Sequence, residues 1–139
     1  MNRAAVYQAL FAKLPSATTK SRTLRMWAEV PREEMPALFL AVTGQSVGQL
    51  GSGAQRIWTT TAQVWAYVHT QDPDTTPAMD LLAAQLDAIE AALKPTPGQP
   101  AQTLGGLVTS VKITGVETDE GTLGPIAVAI VTLEIVASP

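Results

Sequence analysis

The sequence predicts an α+β fold: a single mostly antiparallel or mixed β-sheet with two main helices packed on it, in the order α-β-β-β-α-β-β. Three observations carry this. Residues 2–14 and 77–93 place apolar side chains at helical spacing. Residues 57–69 alternate and are rich in Thr, Trp, Val and Tyr. The last third holds two apolar runs around an acidic, turn-rich segment. A length of 139 residues suits one structural domain, 1–139.

The first helix carries Val6, Tyr7, Leu10, Phe11 and Leu14 on one stripe, and Pro15 stops it. Residues 16–21 read as a polar turn. Residues 23–30 read as a strand, with Leu24, Met26, Ala28 and Val30 on one side, ended by Pro31. A short apolar strand follows Pro36, from Ala37 to Thr43. Gly44 to Gly53 holds four glycines and reads as a mobile loop. In the strand Ile57 to His69, Trp58, Thr60, Ala62, Val64, Ala66 and Val68 share one face. The opposite face is not strongly polar either, so both are expected to be at least partly covered.

Pro77 suits the first position of a helix capped by Thr75 or Thr76. The stripe of this helix is Met79, Leu82, Leu86, Ile89 and Leu93, expected to pack on the sheet face holding Trp58 and Val64. Pro95, Pro97, Gly98 and Pro100 form a stiff connector at 95–100. A C-terminal hairpin spans 107–136, with strands Leu107–Val116 and Ile126–Val136.

Only 15% of residues are charged, against about 25% in typical domains, which points to surface covered by partners. The absence of cysteine excludes disulfides, thiolate nucleophiles and Cys-ligated metals. The N-terminus lacks the apolar run of a signal peptide, and no stretch is long enough to span a bilayer. The net charge of −3 is split: residues 1–32 carry +5 and the remainder −8. Such asymmetry suits either an ordinary solvated face and loop, or complementary contact between copies or with a neighbour.

Patterns that could carry chemistry fail on context. Gly44-Gln45-Ser46-Val47-Gly48 matches a nucleophile elbow, but glycines and a strand follow where a helix is needed. His69 is the only histidine, and no acid lies between it and Ser46. His69 with Asp72 and Asp74 is a thin metal set, and the two acids suit the approach to a helix N-terminus better. Asp119 and Glu120 are adjacent, and nothing evident in the sequence raises either pKa by burial, so a general acid/base pair is unsupported. Lys20, Arg22, Arg25 and Trp27 mix cations with one aromatic, yet the acidic chain argues against sequence-specific nucleic-acid binding. No catalytic residue, cofactor or metal is expected.

The order of segments resembles the tail terminator (tail completion) proteins of long-tailed bacteriophages, the group of the lambda minor tail protein U. The resemblance runs through the N-terminal amphipathic helix, Trp27-Ala28-Glu29-Val30-Pro31, Met35-Pro36-Ala37-Leu38-Phe39 and Val64-Trp65-Ala66-Tyr67-Val68. It continues through the helix after Pro77 to Leu104-Gly105-Gly106-Leu107-Val108 and Gly121-Thr122-Leu123-Gly124 in the closing hairpin. It implies a homohexameric ring on the end of the tail tube, in the virion at the head–tail junction. The ring would stop tube growth and offer a surface to a head-completion or connector protein. A head-completion or tail-tube subunit, or a small ligand-binding module, is the alternative.

For the ring contacts, the basic set Arg22, Arg25 and Arg32 is expected near Asp119 and Glu120 of the next copy or the next ring. Trp27 is the first choice of apolar anchor, with an ordinary core position as the alternative.

Overall fold

The computed structural model describes residues 1–49, 56–119 and 124–138. The fold is α+β, and the described residues form five strands in one mixed sheet with two helices on it. Helix α1 is Arg3–Lys13, followed by strands β1 (Thr19–Ser21), β2 (Ala37–Gln49) and β3 (Arg56–His69). Helix α2 (Ala78–Ala92) precedes β4 (Ser110–Thr118) and β5 (Ile126–Ala137). Strand order is β1-β2-β3-β5-β4; β1 runs parallel to β2 and every other pair is antiparallel.

Alternation along β3 and β5 divides the sheet faces. Ala62, Val64, Ala66 and Val68 with Ala127, Ala129, Val131, Leu133 and Ile135 form the buried face under the helices. Val6, Leu10 and Leu14 of the α1 segment and Leu82, Ile89 and Leu93 of the α2 segment close that core, as the helical spacings predict. Asn2 caps α1, its side chain accepting from the Ala5 amide at 3.2 Å. Pro77 occupies the N-cap position of α2 itself, without a side-chain cap, so the expected Thr75 or Thr76 cap is not formed. Asp72 instead accepts from the Thr75 amide at 3.4 Å in the preceding turn.

Among the described residues, the second sheet face is covered at one end. Val30 and Met35 pack there on Ala37, Phe39 and Tyr67, with Leu24 beside them. Residues 23–30 are therefore not the expected strand. They hold a 3-10 turn, Trp27–Glu29, and a second one follows at Arg32–Glu34. Leu24 and Val30 turn to the sheet while Met26 and Ala28 face solvent, so the alternation does not define one buried side. The first strand lies earlier, at Thr19–Ser21, inside the expected polar turn, and pairs with Ala37–Phe39.

The expected loop 44–53 is also corrected. Gly44–Gln49 continue β2, paired with Arg56–Thr61 after a register shift between Val42 and Gly44. The rest of that stretch lies outside the described residues. The hairpin strand expected from Leu107 starts at Ser110, because Leu104, Gly105 and Gly106 all adopt positive φ and turn the chain first.

Candidate interaction surfaces

The basic residues of segment 1–32 divide between the two sheet faces. Arg22 lies over the Tyr7 ring at 6.0 Å, and Lys20 lies over Phe11 at 4.8 Å while donating to the Leu14 carbonyl at 2.9 Å. Arg3 lies over Trp58 at 4.8 Å and donates to Gln45 Oε1, whose amide donates to Thr60 Oγ1. These three cations border α1 on the helical side. Arg25 sits on the other face, over Phe39 at 5.5 Å, paired with Glu34 at 2.8 Å. Arg32 is exposed beside Glu33 at 4.0 Å. The set Arg22, Arg25 and Arg32 is thus not one patch, and two of its members have acidic neighbours in their own chain.

Trp27 is 38% exposed next to Met26 at 49%, so both present apolar surface. Asp119 is half-buried, and its carboxylate accepts from the Val128 amide at 3.2 Å. Glu120 lies outside the described residues.

The helical layer itself is split in charge. The outer face of α2 exposes Asp80, Asp87 and Glu90, with no cation in the helix. The α1 side exposes Arg3, Lys13 and Arg22, with no acid before Glu29. Sequence reading found the imbalance along the chain but missed α2 as its acidic pole. Three carboxylates in fifteen residues were legible there; their exposure on one helix face was the missing step.

Two sheet edges are open. Past Phe39, no described strand pairs with the outer side of β2. Among the described residues, the outer side of β4 meets only a bridge from Gln102 to Val111. Val42, Val47 and Val116, three of the exposed large apolar residues, stand on these edges. Their partners Ala62, Trp58 and Val131 put all three on the helical side.

A groove of about 600 Å³ lies between α2, the Pro-rich connector and β4, lined by Leu86, Ile89, Leu93, Val111, Ile113 and Val116. Its polar groups are mostly engaged. Gln102 donates to the Lys94 carbonyl at 2.7 Å and accepts from the Leu104 amide at 3.1 Å, and Lys112 pairs with Glu134 at 3.1 Å.

Ser46 sits within β2 opposite Thr59, so the strand-to-helix turn of a nucleophile elbow is not formed. Hydrogen bonds from Thr75, led by its side chain, hold the exposed Asp72 carboxyl below its ordinary range. Among the described residues, no three His, Asp or Glu side chains gather as a metal site, and no helix is long and apolar enough to cross a membrane. No family model matches the chain, and no curated protein matches it.

Proposed function

We propose that this chain is a non-enzymatic structural subunit that forms a closed ring capping a bacteriophage tail tube and joining it to the head connector. The observation that supports it best is the split helical layer, basic along α1 and acidic along α2. Opposite charges on different patches of one subunit favour head-to-tail contacts, and such contacts close into a ring when the rotation per copy divides the circle. The order of elements resembling tail terminators supplies the particular reading. Tail-tube and head-connector proteins are then the outer partners. No bound cofactor enters this role, and its place is the virion.

The test is imaging of concentrated protein by negative stain, followed by reconstruction of the assembled particle. A closed sixfold ring is expected. An open tube or a twofold dimer removes the terminator reading.

A second reading, a small ligand-binding module, is favoured by the apolar groove beneath α2. It predicts a rise in melting temperature with apolar small molecules, and loss of that rise in Val111→Asp if this variant folds.

A further inference from the structure

We infer that the open edge of β2 pairs with the open edge of β4 on the next copy, extending the sheet from subunit to subunit. The inference rests on the ring reading and names its contact. An unpaired edge presents a row of backbone donors and acceptors, and proteins ordinarily guard it with charge, proline or cover. The stretch Leu40–Gly48 contains no charged residue and no proline. Its irregularity is the register shift between Val42 and Gly44. It also exposes Val42 and Val47, at 42% and 50%.

Topology makes β4 the matching edge. β2 and β5 run in one direction, β3 and β4 in the other. When copies follow one another with their helices on the same side, β4 of one meets β2 of the next in antiparallel sense, the ordinary pairing. Val116, 49% exposed, then stands on the same face as Val42 and Val47.

The charge split agrees with this direction. α2 packs on β3 and β5 with the groove between it and β4, whereas α1 reaches Gln45 and Trp58 on the β2 side. Joining β4 to the next β2 brings the acidic helix of one copy toward the basic helix of the next. Opposed charge sets the order of the copies, while backbone pairing and the valines hold them.

The open stretches are staggered. Val42, Ala62, Leu133 and Ile113 lie on one line across the sheet. From that line β2 is open toward Val47, and β4 toward Thr118. Strands tilted to the ring axis bring such stretches into overlap, as closure of any strand ring requires.

The chain has no cysteine, so introduced thiols report cleanly. One population carries Val42→Cys or Val47→Cys, and another carries Val116→Cys. Each is mixed at high concentration with a short bis-maleimide. Cross-links in the mixture, and none in either population alone, are expected. Cross-links within one population, or none anywhere, overturn the inference.

A chain carrying both thiols separates this contact from the ring. A ladder ending in a closed six-copy species fits both readings. An unlimited ladder keeps the edge contact and removes the terminator. Rings seen by microscopy without cross-links keep the ring and remove the edge contact. Hydrogen exchange on the unsubstituted chain provides a second readout: amides of 40–48 and 113–118 slow together on concentration. Exchange unchanged in both stretches in assembled protein contradicts the pairing.

Discussion

The phenolic O–H of Tyr67 donates to the backbone carbonyl oxygen of Arg25 at 2.7 Å, tying the segment before β2 to the centre of the sheet. Tyr67 is fully buried and its ring lies 5.6 Å from that of Phe39. Tyr67→Phe keeps the ring and deletes the hydrogen bond, leaving the Arg25 carbonyl without that donor. A loss of about 1–3 kcal/mol in urea unfolding is expected. Hydrogen exchange should rise across residues 24–35 and hold steady in α2.

The same hydroxyl gives the fold an alkaline limit. Burial, assisted by Glu29, pushes the Tyr67 pKa from 10.0 to about 12. A raised folded-state value means that the neutral form is favoured by folding. Its contribution is complete below pH 10 and falls as pH rises from 10 through about 12. Unfolding midpoints should decline more steeply over that window in the unsubstituted chain than in Tyr67→Phe. Parallel declines would remove the assignment to Tyr67.

Three α2 positions should grade by burial. Leu82 is completely buried, and Leu82→Ala is expected to cost ~2–5 kcal/mol. Leu86 is only partly buried and lines the open groove, so Leu86→Ala should cost less. Asp87 is exposed, and Asp87→Ala should stay within ~0.5 kcal/mol. Chemical denaturation of the three variants checks the order.

Gln102 is 3% exposed and links the connector after α2 to the turn before β4. Gln102→Ala removes the partners of the Lys94 carbonyl and the Leu104 amide together. The expected cost is about 1–3 kcal/mol, with faster exchange at the Leu104 amide. Exchange unchanged at that amide would show that Gln102 does not hold the turn.

Gly106 and Gly115 form a matched pair. Both have open space where a Cβ would stand, but Gly106 has φ +91° and Gly115 has no positive φ. Gly106→Ala should cost about 1–2 kcal/mol, from the strain of a left-handed backbone with a side chain. Gly115→Ala should be neutral or stabilise by up to about 1 kcal/mol, through the unfolded chain. Thermal melts of the two variants should move apart.

The long periodic elements were legible because one physical cause dominates each. Leu10 in α1, Leu82 in α2 and Val64 in β3 follow spacings that a single buried face imposes. The misreadings fall where tertiary contact overrides local pattern. Thr19–Ser21 is a strand only because Ala37–Phe39 lies beside it. Gly44 and Gly48 are strand residues because Thr61 and Ile57 pair with them, against their local tendency to turn. The interaction surfaces were legible as charge along the chain but not as direction. Arg22 and Arg25 are three residues apart, yet one meets Tyr7 under the helical layer and the other Phe39 across the sheet.

The strand order also governs how the chain reaches its fold. β3 pairs with β2 through a local hairpin but with β5 across the whole α2 segment; Ala66 faces Ala129. Closing that long loop costs entropy before any contact rewards it, so the β3–β5 pairing should limit the folding rate. During synthesis β5 emerges after the other four strands. Until then the β3 flank that will receive it stays unmatched, and a nascent chain is most open to wrong partners through that strand.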